Sequence, residues 1–319
     1  MDGFDGAARD DSLPAARAPL SGDADHLPAR LWGLLAALTL AWGFNWTAMK
    51  VALAEVPPWT FRSICLVLGS AILFFVLRLG GHKLSPPHGQ WSRLVLLSVL
   101  NIGAWNIFVA YGLTMIASGR AAILGYTMPV LAIPLSIWLL HERLTPAKIT
   151  GLVLGLAGLG LLLVDAFGAA QAAPLGTFLV LGAAASWALG AVLQKKYPVN
   201  LAPGPYTAWI MLVSGVPILA GALLFEDFSA LARLGPAAFF GIAYNVLVAF
   251  AFAHWAWIKL ATSLSVTVFS LSMLIIPVVG VISGMLFLGE RPTFAEYAAL
   301  ALVLAALATV AVPKRGAAG

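Results

Sequence analysis

The chain has 319 residues, of which 61% are hydrophobic and only 10% charged, more apolar surface than a soluble domain of this size can hide. Its formal net charge of +5 does not call for a nucleic-acid partner, because the placement of the basic residues accounts for it. A lone cysteine rules out an intrachain disulfide, no His, Cys or acidic cluster has metal-ligand spacing, and no Gly-Lys-Ser/Thr phosphate loop is present, so neither a cofactor nor a metal is expected.

Residues 1–28 are rich in Asp, Ala, Pro and Gly and are expected to form a disordered cytoplasmic tail. They lack the basic start and immediate apolar core of a cleavable signal, so the following helix is read as retained. Ten apolar stretches come next, predicting helices over 32–53, 57–78, 92–114, 119–140, 146–164, 175–195, 204–225, 236–259, 264–287 and 294–312. Each approaches the ~20 residues that cross a bilayer. The expected class is an all-α, multi-pass integral membrane protein of a bacterial-type inner membrane, with a first five-helix unit at 29–165 and a second at 174–313. Of eighteen Lys and Arg, only Lys50, Arg62, Arg120, Arg233 and Arg291 fall on the side opposite the N-terminus. That bias predicts cytoplasmic N- and C-termini.

Helix one carries the most telling stripe. Trp42, Asn45, Trp46 and Met49 lie within about 100° of arc on a helix of ~3.6 residues per turn. An amide at mid-bilayer must face protein or a solvated cavity, so the stripe predicts either interhelical hydrogen bonding or a lining. In helix two, Cys65 reads as a small packing residue. Helix three repeats the chemistry with Asn101 and Trp105, while Asn106 points to another face and reads as glue between helices. Helix four sets Tyr126 and Thr127 before Pro129, and helix nine sets Ser270 and Ser272 before Pro277. These prolines predict paired bends, fixed or gating. Helix six adds Trp187 and Gln194, and helix eight adds Tyr244 and Asn245. His254 is the intramembrane group whose pKa lies nearest neutrality, so it is read either as a proton-coupling candidate or as an interfacial residue. Seven other tryptophans fall near helix ends, where an interfacial belt accounts for them. Gly151, Gly155 and Gly158 in helix five, and Ala298, Ala301, Ala305 and Ala308 in helix ten, form small-residue faces. Such faces suit either packing of these helices on each other or a homodimer contact, and monomer and homodimer both remain open.

The chain repeats itself. His141-Glu142-Arg143-Leu144-Thr145 is echoed by Gly289-Glu290-Arg291-Pro292-Thr293, and at the same offset Pro129 aligns with Pro277. Trp42 and Lys50 align with Trp187 and Lys195. Five helices per unit is an odd number, so the second unit must enter the membrane inverted. Inverted repeats place a binding site at their interface near the midplane. Thr145-Pro146 reads as a helix N-cap with proline at the first position, and Thr293 to Glu296 as a capping box. Lys50 and Lys195 fall near opposite mouths of the expected site, or snorkel to the interface.

Taken in order and spacing, the Trp42-Gly43-Phe44-Asn45-Trp46 segment, the two Glu-Arg-x-Thr turns and Ser186-Trp187-Ala188 resemble the drug/metabolite transporter superfamily, in its EamA-like branch of amino-acid and metabolite exporters. The resemblance spans about residues 30–313. It implies a secondary carrier, not an enzyme, with a cavity lined by helices one, three, four, six, eight and nine. On these positions the expected substrate-binding residues are Trp42, Asn45, Trp46, Asn101, Trp105, Tyr126, Trp187, Tyr244, Asn245 and Ser270, with Pro129 and Pro277 at the bends. All thirteen acidic residues lie in the tail, loops or helix ends. A buried-Glu drug/proton exchanger is therefore disfavoured, and the expected activity is alternating-access export of amino-acid-type small molecules, aromatic ones included, through an uncharged aromatic cavity. Efflux of neutral or cationic drugs is the alternative, and a lipid-modifying enzyme using His141 and Glu142 is a more distant one.

Overall fold

The computed structural model describes residues 28–86, 88–168, 173–264, 269 and 272–311. Among them the chain is helical, with no strand. We label the helices α1 (Ala29–Leu53), α2 (Pro58–Leu79), α3 (Trp91–Met115), α4 (Ser118–Leu140), α5 (Pro146–Gly168), α6 (Ala173–Lys196) and α7 (Pro203–Phe225). A 3₁₀ turn at Phe228–Arg233 leads into α8, built from Pro236–Ala243, Tyr244–Phe252 and Ala253–Ser263. Then come α9 (Ile275–Leu288) and α10 (Phe294–Ala311). Among the described residues, seven helices are long and apolar enough to cross a membrane, α2 to α8. The tryptophans, threonines and Asn45 of α1 dilute its apolar character, and α9 and α10 are shorter apolar helices. Large apolar side chains such as Phe75, Trp138, Leu224, Phe240 and Leu286 stay exposed, as expected of a surface facing lipid.

The packing follows a pseudo-twofold pattern. α1 lies along α8 and α9, and its counterpart α6 lies along α3 and α4. α5 packs on α10, α2 on α7 and α4 on α9, each helix meeting its own repeat mate. α5 meets α10 closely at Gly158, where a Cβ would lie 3.2 Å from the Ala299 carbonyl oxygen, whereas Gly155 packs on Val130 of α4, and Ala301 and Ala305 of the expected α10 face are exposed. In lipid, such close approach and the dispersion it allows replace the hydrophobic drive of water-soluble bundles.

Both Glu-Arg turns have the same backbone. α4 ends at His141 with φ 56°, and α9 ends at Gly289 with φ 65°. In each, the following glutamate N–H reaches back to a carbonyl six residues earlier, Ser136 or Gly284. Thr145 Oγ1 then accepts from the Lys148 N–H, while Thr293 and Glu296 cap each other's backbone N–H reciprocally at 3.2 and 2.8 Å. The repeated motif is thus a stop, a projecting glutamate and a start.

The twofold pattern breaks at one end. α1 also packs against the last segment of α3, Trp105–Met115, and the first segment of α4, Ser118–Gly125. Among the described residues α6 makes no comparable contact with the last segment of α8. Among the described residues, α1 is closed onto α3 and α4 at its Lys50 end, and α6 is parted from the end of α8 at its Lys195 end.

Candidate functional site

Trp46, only 4% exposed, sits where α1 meets α3, α4 and α9. It stands edge-on to Trp105 with ring centroids 6.5 Å apart, and Trp105 stands edge-on to Trp187 at 5.2 Å. The ladder needs glycine beside it: a Cβ at Gly125 would fall 2.8 Å from Trp46 and 3.2 Å from Trp105. Trp42 has a different job. Its indole N–H donates to the Ala249 carbonyl at 3.2 Å, and its ring meets the edge of His254 at 5.6 Å. His254 Nδ1 lies 3.1 Å from the same carbonyl and stacks on Phe250. The Tyr244 hydroxyl donates to the Ala41 carbonyl at 2.8 Å. Trp42, Tyr244 and His254 therefore hold α1 to the middle of α8.

That middle is π-helical, over Tyr244–Phe252, and so is Val99–Ala104 in α3. Such segments interrupt the regular i→i−4 ladder and recur at functional sites. Each carries one of the expected asparagines. Asn101 and Asn245 are buried, and Asn45 lies half-buried on α1. Among the described residues, the side-chain carbonyl oxygens of all three are buried without a hydrogen-bond partner, and the Tyr206 hydroxyl lies beside the Asn101 side chain. Asn245 donates Nδ2–H to the Gly241 carbonyl and Asn106 to the Ile102 carbonyl, each within its own helix, so the Asn106 amide bond does not join two helices. Gly190 of α6 makes room for Asn101: a Cβ there would lie 2.1 Å from Asn101 Oδ1.

Tyr126 and Thr127 occupy a break in α4, which stops at Gly125 and restarts at Met128 with Pro129 in its first turn. Thr127 Oγ1 caps the break by donating to the Leu124 carbonyl. Pro277 lies buried in the first turn of α9. Ser270 lies outside the described residues.

Charge enters where the sequence reading placed only membrane-end segments. Arg62, on the second turn of α2, is 1% exposed. Its Nε–H donates to the Asn106 carbonyl at 3.2 Å, one Nη contacts Met49 Sδ at 2.9 Å, and its guanidinium lies 5.0 Å from the Phe61 ring centre. No carboxylate pairs with it among the described residues. Met49 continues the Trp42–Asn45–Trp46 stripe by one turn, so Arg62 sits at the closed end of that stripe. Beyond it, Arg120 is 8% exposed and pairs with both Glu296, at 2.6 Å, and Asp165. Glu290 accepts from the Ser118 N–H and hydroxyl and the Gly119 N–H at 2.6–3.0 Å. Lys50 Nζ donates to the Leu113 and Ile116 carbonyls. A cavity of about 220 Å³ opens over this closed end, lined in part by Arg120, Ile123, Glu290, Arg291 and Glu296. An arginine four residues into an apolar helix was the available signal, since ionisable groups inside membranes face the bundle interior.

At the parted end Glu142 accepts from Lys148 at 2.8 Å and Lys195 at 2.5 Å. Those hydrogen bonds hold its carboxyl well below the ordinary 4.5, at about 2.

The model of the EamA-like transporter family matches the chain twice, over residues 28–164 and 174–312. The chain belongs to the EamA-like transporter family. It is therefore a multi-pass membrane protein of a transporter family, and the two matches correspond to its two repeats. Uncharacterized transporter YoaV of Bacillus subtilis is 28% identical over 81% of this chain and 88% of its own length. Uncharacterized inner membrane transporter YedA of Escherichia coli K12 is 27% identical over 89% of this chain and 91% of its own. A protein of Escherichia coli K12 named a probable amino-acid metabolite efflux pump is 25% identical over 86% of this chain and 93% of its own. A solved crystal structure shares the fold with a TM-score of 0.62, at 20% identity over 89% of this chain and 97% of that one.

Proposed function

We propose that this EamA-like protein is a secondary transporter and not an enzyme, exporting small amino-acid-type metabolites, aromatic ones included, across an inner membrane. Ten spans with cytoplasmic termini, in inverted repeats at 29–165 and 174–313, would give alternating access to a site between Trp42, Asn45, Trp46, Asn101, Trp105, Tyr126, Trp187, Tyr244 and Asn245. Pro129 and Pro277 mark the helix bends. One observation carries the reading: the middle of the bundle holds mismatched polar groups. Three amide oxygens lack donors, and the Arg62 guanidinium, with five N–H groups, makes two hydrogen bonds. An ammonium answers the amide oxygens, a carboxylate answers the guanidinium, and an aromatic or apolar side chain answers the indole faces. The name of the Escherichia coli efflux pump relative supports the same class.

The test is exchange in proteoliposomes of phenylalanine, its decarboxylated amine and its deaminated acid. Saturable flux of the zwitterion, with the amine and the acid each at least about tenfold slower, is the expected result, since one charge-assisted hydrogen bond is worth about 1.5–3 kcal/mol. Arg62→Met should erase the preference for zwitterion over amine. No saturable flux of any amino acid would end the substrate reading. An imposed pH gradient that drives flux in the parent but not in His254→Gln would make His254 the coupling group, and equal response in both would remove it.

A further inference from the structure

The two repeats carry the same lysine and use it differently. Lys50 and Lys195 stand eight residues after Trp42 and Trp187 in matching helices. Lys50 donates to the carbonyls of Leu113, in the last turn of α3, and Ile116, the residue just after it. Such carbonyls have no helical partner and carry the negative end of the helix dipole, so an ammonium there is stabilising. The end of α8 has the same build. Ile116 and Leu264 are both extended residues whose N–H closes the helix, onto Gly112 in one case and Leu260 in the other. In that register the carbonyls of Leu113 and Ile116 correspond to those of Ala261 and Leu264. Lys195 does not hold them here. Its side chain is 69% exposed and donates to Glu142.

We propose that Lys50 and Lys195 are alternating clasps. In the state seen here Lys50 ties α1 to the end of α3 and shuts one mouth, helped by Glu290 on the first turn of α4. In the opposite state Lys50 lets go, and Lys195 swings from Glu142 onto the carbonyls of Ala261 and Leu264, drawing α6 against α8 and shutting the other mouth. Glu142 is the resting place of the Lys195 ammonium while its mouth is open. Because Lys148 also donates to Glu142, that carboxylate keeps a cation when Lys195 leaves.

This rests on the alternating-access reading, but its test needs no substrate, so a wrong substrate class leaves it standing. In a Cys65→Ser background, cysteine-free because Cys65 is the single cysteine, spin labels at Ala54→Cys and Thr114→Cys report the Lys50 mouth. Labels at Lys196→Cys and Ser263→Cys report the other. All four positions are exposed. In liposomes the parent should give a short first distance and a long second one. Lys50→Met should lengthen the first and shorten the second, with about a tenfold shift between the two populations, a usual size for coupled conformational equilibria. In Lys50→Met/Lys195→Met the first should still lengthen while the second stays long, and Lys50→Met/Lys195→Arg should shorten it again. Glu290→Gln, which loosens the same mouth from α4, serves if Lys50→Met fails to fold. A second distance that shortens equally with and without Lys195, or that never moves when the first does, overturns the proposal.

Discussion

Asn45→Leu separates a binding role from a structural one by the sign of its effect on stability. Asn45 Oδ1 is buried with no partner among the described residues. A buried acceptor left unmade costs about 1–3 kcal/mol, and leucine fills a similar volume without that acceptor. No hydrogen bond of the Asn45 side chain is lost, so the variant should be more stable by about 1–3 kcal/mol. In domains of about 150–250 residues each kcal/mol moves Tm by roughly 2–4 °C, which thermal unfolding in detergent resolves. Flux should fall at least about tenfold, the worth of one ligand hydrogen bond. Asn245→Leu is the internal control. It also sheds an unpaired oxygen but loses the Nδ2–H bond to Gly241, worth about 0.5–1.5 kcal/mol, so its Tm should move less. A fall in Tm for Asn45→Leu, or unchanged flux, would refute the reasoning.

Gly190→Ala places a Cβ 2.1 Å from Asn101 Oδ1 and 3.1 Å from Leu100 Cβ, so Asn101 must turn away. Overpacking of about 1–3 kcal/mol against a helix-propensity gain of about 1 leaves Tm level or slightly lower, while transport drops. Recovery of Tm, but not of flux, in Gly190→Ala/Asn101→Ala checks the cause. Arg120→Met strands Glu296 and Asp165 and should cost about 3–5 kcal/mol, seen as a large fall in Tm that Asp165→Asn/Glu296→Gln recovers in part. Glu142 should support stability fully above pH 4.5 and lose that support as pH falls toward about 2, because its folded carboxyl is the stronger acid. The Tm gap between the parent and Glu142→Gln should therefore stay constant from pH 7 to 5 and close below 4.5. It should be small, since Lys195 is largely exposed.

The features legible from the residues alone are those that stand out against an apolar background. Trp42, Asn45 and Trp46 are conspicuous because hydrocarbon gives them no place except an interface, and the Glu-Arg-x-Thr turns because they recur. What stayed hidden depends on partners far along the chain. Arg120 finds Asp165 and Glu296 across 45 and 176 residues, and no local pattern encodes that meeting. Arg62 lies so close to the start of its helix that position alone leaves open whether it points to water or into the bundle. The π-helical segments leave no mark in the hydrophobic period, since an all-round apolar helix has none to disturb. Gly190 reads as one glycine among 31 until Asn101 is seen in its place.

The repeat is most informative where it fails. Lys50 and Lys195, Glu142 and Glu290, and Pro129 and Pro277 are present twice. Asn45 is not: its mate in α6 is Gly190, and the mate of Trp46 is Ala191. With Pro58 aligned on Pro203, both in the first turn of their helices, Arg62 has Thr207 as its mate, a hydroxyl spent on the Pro203 carbonyl. Two mouths that open in turn need the same hardware at each end, which keeps the gating residues paired. A small zwitterion has an ammonium at one end and a carboxylate at the other, so a site that holds it in one orientation has no use for a twofold axis. The doubled lysines, glutamates and prolines are those expected to move, while Trp42 and Trp187 form a doubled aromatic pair within the site, and Asn45, Trp46 and Arg62, present once, are those expected to fix the orientation of what binds.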